Sequence, residues 1–359
     1  VYLGFHPRLR KEVAVKVLPF HTAERRPDLV RRFVREAQLA AQVQSPHLVG
    51  VIDVNEDHGI MYLVQEYVQG VSAGDYLERL RAMGRPGLDE AEALDLVIAA
   101  SEGLAAAHAR NIIHRDIKPD NILLPLRPAT GAVVAAEAKL ADLGLAHSEG
   151  AAQSLTESAD VLGTPGYLSP EQALDGKAIG KPSDIFAMGA TLYKLLSGQT
   201  PFTGETAVQA IMATLHKPHA PLSQVCPTAS APTARLVDLC LDKSPGNRFP
   251  DARALLAALR LCRENLGRSA EIPKVVVELE RLRRATPAPA APFAVTPFPP
   301  PPLTPLPQAA PEAVRARKAT VMVVAGFLVA GVTGLSLLLY GGLRMAGDAK
   351  ARAEIVETV

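Results

Sequence analysis

The chain has 359 residues, enough for roughly two domains and a sizeable buried core. Its 38 basic and 37 acidic residues leave a formal net charge of +1, which argues against nucleic acid as a partner, since such binders usually carry a basic excess. The cysteines Cys226, Cys240 and Cys262 are odd in number and fit neither a zinc spacing nor a disulfide framework, so buried thiols in a reducing compartment are expected.

The first residue is Val1 rather than Met and no signal peptide follows, so the start is expected to be a cut edge. Strands are expected over 11–18 and 61–67, and helices over 27–44, 89–110 and 183–197, from the spacing of their apolar residues. Asp89 followed three residues later by Glu92 predicts a capping box on the second helix. Strands come first and long helices later, which predicts an α+β fold with a small β-rich lobe before a larger helical one.

Beyond residue 263 the composition shifts. Residues 271–284 alternate acids, bases and aliphatics, as a short helix would. From Thr286 to Pro311, eleven of 26 residues are proline, which predicts an extended polyproline spacer. Residues 319–343 carry no charge and no polar face; as a helix they rise about 37 Å, enough to cross a hydrocarbon core of roughly 30 Å. A single membrane-spanning helix is therefore expected. Arg315, Arg317 and Lys318 before it balance Arg344, Lys350 and Arg352 after it, so charge does not set its orientation.

The densest chemistry lies in His114-Arg115-Asp116-Ile117-Lys118-Pro119-Asp120-Asn121. Phosphoryl transfer needs a carboxylate near the attacking hydroxyl, a cation on the moving phosphate and an oxygen ligand for Mg²⁺. Asp116, Lys118 and Asn121 supply these residue types within one short loop. Further motifs lie on either side: Val13-Ala14-Val15-Lys16, Glu36 on the helix after it, Asp142-Leu143-Gly144, and Gly163-Thr164-Pro165-Gly166-Tyr167-Leu168-Ser169-Pro170-Glu171.

With these motifs the chain resembles the protein-kinase superfamily over 1–263, and within it the bacterial Hanks-type Ser/Thr kinases. The resemblance implies a two-lobed kinase fold, with a small lobe over 1–68 and a large one over 69–263. It is followed by a charged segment over 264–285, a proline-rich linker over 286–318, the spanning helix and a tail over 344–359. It implies ATP and Mg²⁺ as cofactors, with Asp116 as catalytic base, Lys118 on the phosphate, and Asn121 and Asp142 as metal ligands. Lys16 would contact the nucleotide phosphates and pair with Glu36. Val1 and Ala14 would pack on adenine, Glu66 and Val68 would offer it backbone groups, and Gln65 would stand as a polar gatekeeper. Counting back from Lys16 places Val1 at the last position of the family's glycine-rich loop, so the glycines and first strand are expected to precede it.

The same resemblance pairs Glu171 with Arg248 and sets Asp184 beneath the catalytic loop. Leu143 replaces the usual Phe, and 125–137 enlarges the loop between two strands. Arg115 beside Asp116 implies a receiver for a phosphorylated activation-loop residue, with Thr156 and Ser158 as the acceptors. Protein Ser/Thr hydroxyls are the implied substrates, with a transient homodimer for phosphorylation in trans. The kinase domain would face the cytoplasm, where ATP is. A pseudokinase scaffold and a small-molecule phosphotransferase stand as alternatives; the intact Lys16, Glu36, Asp116, Asn121 and Asp142 oppose the first, and Lys118 with the 163–171 segment the second.

Overall fold

The computed structural model describes residues 1–18, 27–57, 60–143, 165–174 and 179–284, without the side chains of 27–29, 31, 32 and 36. A four-stranded antiparallel sheet comes first, in the order β1-β2-β4-β3: β1 Tyr2–His6, β2 Lys11–Val17, β3 Val51–Asp57 and β4 Ile60–Glu66. The expected strands at β2 and β4 are present. β1 and β3 are additional, and both carry long exposed stretches that blur the alternation a sequence pattern needs. Helix α1 (Pro27–Ala41) lies against this sheet and ends three residues before its expected limit. Its Phe33 and Ala37 bury against Met61 and Leu63 of β4, forming a small core of their own.

The larger lobe is helical. Helix α2 (Ala73–Ala82) follows the short strand β5 (Gly70–Ser72), and α3 (Glu90–Ala109) runs through the middle of the core. α3 is rich in Ala and Leu, good helix formers, and is buried around much of its circumference. Gly103 on α3 lets the backbone at His47 approach; a Cβ there would meet the His47 carbonyl oxygen at 2.2 Å. The expected capping box at its start does not form. Asp89 occupies the N-cap without a capping hydrogen bond, because its carboxylate accepts from Arg85 at 2.9 Å while Glu92 accepts from the Tyr76 hydroxyl at 2.7 Å.

Strands β6 (Ile122–Pro125) and β7 (Lys139–Leu140) complete a second sheet in the order β5-β6-β7. Between them, the enlarged loop folds back on itself through a Leu126–Val133 bridge, with Arg127 N–H on the Ala132 carbonyl at 2.9 Å. Then come α4 (Pro170–Leu174), α5 (Lys181–Ser197), α6 (Ala207–His216), α7 (Leu222–Val225), α8 (Ala231–Cys240), α9 (Ala252–Glu264) and α10 (Ile272–Arg283). α5 starts two residues earlier than expected, with Pro182 in its first turn, where a missing N–H costs nothing. It too is buried along most of its length, and Gly189 lets Cys240 of α8 come close. α10, in the charged segment, buries Val275 and Leu279 in the same core. Cys240 and Cys262 are buried free thiols and Cys226 is a partly buried one.

Among the described residues no helix is long and apolar enough to cross a membrane. The proline-rich linker and the 319–343 segment lie outside the described residues.

Among the described residues of the large lobe, Arg248 is only 1% exposed and heavily bonded. Its guanidinium donates to Glu171 Oε1 at 2.7 Å and Oε2 at 2.9 Å, and to the carbonyls of Asp242, Pro182 and Lys243. Ser183 Oγ donates to Glu171 Oε1 at 2.7 Å. Burial alone would raise the Glu171 pKa, but the hydrogen bonds and charge of Arg248, with the Ser183 hydroxyl, hold it below the ordinary carboxylate value. Glu171→Ala therefore leaves a buried cation unpaired, and should cost about 3–5 kcal/mol in urea unfolding at neutral pH. A carboxylate with a lowered folded pKa stabilises above its unfolded pKa and loses that contribution as pH falls through the folded one. The stability gap between the native protein and Glu171→Gln should accordingly be full at pH 7 and shrink under acid; a gap independent of pH would contradict the ionic pairing.

Candidate active site

The loop from His114 to Asn121 is built from the backbone outward. Asp116 N–H donates to His114 Nδ1 at 3.3 Å, so the fully buried His114 ring donates from Nε2 to the Ala141 carbonyl at 2.9 Å. Burial lowers the pKa of His114, the nearby carboxylates of Asp184, Asp116 and Asp142 oppose this only in part, and a neutral ring matches the hydrogen-bond roles. Ala141 N–H in turn donates to the Asn121 carbonyl at 2.8 Å. The catalytic-loop candidate and the strand leading into Asp142 are thereby tied at two points.

Asn121, only 8% exposed, donates from Nδ2 to the Asp116 carbonyl at 2.7 Å and to Asp116 Oδ2 at 2.9 Å. Its amide oxygen is thereby turned away from Asp116. Lys118 Nζ lies 3.1 Å from Asp116 Oδ2. From the other lobe, Lys16 on β2 places Nζ 2.8 Å from Asp142 Oδ1. The structure thus brings Lys16 to Asp142, and Lys118 and Asn121 to Asp116. Glu36 lies on α1, and its side chain is outside the described residues.

Of the non-glycine residues with left-handed backbone, two belong to this site: Arg115 with φ +69° and Asp142 with φ +60°. Such a conformation costs a non-glycine residue about 1–3 kcal/mol and persists only where the surroundings impose it. At Arg115 the surroundings are explicit. Its N–H donates to Asp184 Oδ1 at 2.8 Å, and its carbonyl accepts from Gln172 Nε2 at 3.1 Å. Gln172 was not singled out from sequence, although it directly follows Glu171; its amide oxygen accepts from both Ser169 N–H and Oγ.

At the connection between the lobes Gln65 is buried, Val68 half-buried and Val1, ahead of β1, 80% exposed. Glu66 N–H is donated to the Gly50 carbonyl at 2.8 Å, so the carbonyl is the backbone group Glu66 has left to offer. Its carboxylate pairs with Lys139 of β7 at 2.9 Å, a contact that sequence reading missed. Thr156, Ser158 and Gly144 lie outside the described residues.

Among the described residues no group of three or more His, Cys, Asp or Glu side chains could hold a metal ion. Asn121 and Asp142 together offer one amide oxygen and one carboxylate, the sparse oxygen set that suits Mg²⁺ when phosphates and water complete its shell.

Comparison with known proteins agrees with this geometry. A model of the protein kinase domain matches residues 1–258. The serine/threonine-protein kinase PknA of Corynebacterium glutamicum is 36% identical over 283 residues, 77% of this chain and 56% of that protein. PknB of Mycobacterium tuberculosis is 36% identical over 286 residues, 78% of this chain and 43% of that one. The chain spans about half the length of these curated relatives. The solved kinase domain of M. tuberculosis PknI superposes with a TM-score of 0.55 at 26% identity, covering 73% of this chain and 89% of that structure. With the candidate catalytic loop and the cross-lobe lysine assembled on two lobes, and with these likenesses, the chain belongs to the protein kinase family and within it is similar to bacterial Ser/Thr kinases.

Proposed function

We propose that the protein transfers the γ-phosphoryl group of ATP to Ser or Thr hydroxyls of proteins. One observation carries this reading: Asp116, Lys118 and Asn121 converge through hydrogen bonds and an ion pair in one loop, and Ala141, just before Asp142, is tied to the same loop. Asp116 is held to face an incoming hydroxyl and to accept its proton as the oxygen–phosphorus bond forms and the bond to the leaving diphosphate breaks. Lys118 offsets the charge on Asp116 and on the moving phosphoryl group. Lys16 binds the remaining phosphates. Asn121 and Asp142 would hold Mg²⁺, which would supply positive charge to offset that of the phosphates. The Lys16–Asp142 pair compensates both charges, with each side chain partly exposed.

The finer features belong to the same proposal. The uncharged 319–343 stretch would anchor the chain in a membrane with the kinase domain on the ATP-containing, cytoplasmic side. A phosphate at Thr156 or Ser158 would add nearly two negative charges opposite Arg115 and order the segment ending at Glu171. A shared membrane would raise the frequency of the transient homodimer needed for transfer in trans.

Asp116→Asn should lower kcat for peptide phosphorylation roughly a hundredfold or more while Mg-nucleotide affinity holds, whereas Asp142→Asn should weaken that affinity itself. Radiolabel transfer and calorimetric titration separate the two; a fully active Asp116→Asn protein would overturn the mechanism. Phosphate at Thr156 or Ser158 is expected in purified protein and absent from Asp116→Asn, as mass spectrometry of the loop peptide can read. The losses from Arg115→Ala and from Thr156→Ala with Ser158→Ala should not add, and additive losses would mean that they act separately. Membranes carrying the full chain should retain it through an alkaline carbonate wash, and a chain ending before Arg315 should not sediment with them. Release of the full chain by carbonate would exclude a spanning segment.

A further inference from the structure

We infer that α10 is a releasable strap that couples the chain beyond Arg284 to the turn carrying Arg248; its effect on phosphoryl transfer rests on the kinase reading above. α10 begins after residue 258, where the protein kinase match ends, yet it packs on α8 and α9. Val275 and Leu279, one helical turn apart, are 3% and 0% exposed and belong to the main core, and Leu282 lies against it. The opposite face is wet, with Pro273, Lys274, Val277 and Arg281 exposed. Residues 267–270, which join α10 to α9, are exposed too, and Gly267 turns at φ +77°. Two buried aliphatic anchors set against the ordering of 12 residues leave a small balance. The helix can therefore open while the rest of the lobe stays folded.

The polar contacts of α10 converge on one turn. Arg235 of α8 donates to Glu280 Oε1, and Glu280 Oε2 accepts from Arg283 Nε at 3.1 Å. Held in this way, with its side chain 17% exposed, Arg283 donates from Nη1 to the Asn247 carbonyl at 3.0 Å. That carbonyl shares a peptide unit with the Arg248 N–H, which donates to the Pro245 carbonyl at 3.2 Å. Residues 244–247 are exposed, and they are also tied to Asp242 Oδ1 by Ser244 N–H at 2.8 Å and Asn247 Nδ2 at 3.2 Å. α10 thus grips, from outside, the peptide from which the Arg248 side chain starts its reach to Glu171. The covalent path from the large lobe to the chain beyond Arg284 runs through the same helix. A displacement of that chain acts first on α10 and, through Arg283, on the turn.

Two variants separate docking from coupling. Leu279→Ala removes a buried anchor, whereas Arg283→Met keeps the aliphatic stem and removes the donor to Asn247. In residue-resolved amide exchange on the full native chain, α10 should exchange at least about tenfold faster than α3, the mark of a local opening. Leu279→Ala should speed α10 roughly tenfold further, and both variants should speed exchange at Arg248. Each should lower kcat roughly threefold with KM for ATP within about twofold of native, and the double variant should fall no further than Leu279→Ala alone. Val277→Lys, on the exposed face, should change none of these readings. Equal exchange in native α10 and α3 would make α10 part of the cooperative core and overturn the inference. Unchanged exchange at Arg248, additive kcat losses, or a lower melting temperature with kcat unmoved would overturn it as well. If the native chain transfers no phosphate, the kinase reading fails; exchange at α10 and Arg248 then still decides whether the strap exists.

Discussion

A carboxylate in an apolar interior is costly unless its lone pairs are filled, and Asp184 meets that condition with three donors from two separate parts of the chain. Desolvating such a charge costs several kcal/mol. The return comes from charge-assisted hydrogen bonds and from its place in the first turn of α5, where the helix dipole favours a negative group. A loop in which Asp116, the proposed base, follows a residue in left-handed backbone cannot rely on local propensity, because the loop left to itself would relax. The buried charge supplies the missing rigidity. The two amides on Asp184 fix the backbone at His114, and the Gln172 amide on the Arg115 carbonyl holds the left-handed turn that follows.

The same helix turn serves a second function. Pro182, Ser183 and Asp184 are consecutive, and each contacts a different partner. The Pro182 carbonyl accepts from Arg248, Ser183 donates to Glu171, and Asp184 holds the catalytic loop. Glu171 is followed by Gln172, whose amide grips the Arg115 carbonyl. Arg115 is consequently held at its N–H by α5 and at its carbonyl by α4, and the Glu171–Arg248 pair fixes α4 against α5. The ion pair that looks remote from the chemistry therefore bears on the same peptide unit as Asp184.

The linear order of residues makes some of this legible and hides the rest for a physical reason. Short-range chemistry can be read directly: Asp116, Lys118 and Asn121 lie within six positions, and their mutual contacts follow from a tight loop. Long apolar helices such as α3 and α5 are legible to within two residues at their ends. β1 and β3 are not, because an exposed or half-exposed strand is defined by its pairing partner rather than by its own pattern. The capping box at Asp89 failed because Arg85 and Tyr76, neighbours in space, offer its two carboxylates other partners. His108 and Gln172 were missed for a related reason: one lies 76 residues from the Asp184 it serves and the other 57 from Arg115. No local signal encodes a partner at that distance.

Asp142 illustrates how the two lobes share the setting of one residue. Leu140, two positions earlier, donates its N–H to the His47 carbonyl at 2.9 Å and accepts from Val49 N–H at 3.0 Å, both in the segment between α1 and β3. Lys139 pairs with Glu66 at the end of β4, and Ala141 is tied to His114 and Asn121 of the large lobe. Lys139 and Leu140 thus bond to the small lobe and Ala141 to the large one, and the chain then turns through φ +60° to present the Asp142 carboxylate to Lys16. A rotation of one lobe against the other must therefore strain β7 before it separates the ion pair. The metal-ligand candidate is thus preceded by residues tied to both lobes, whereas Lys16 lies on the sheet of the small lobe.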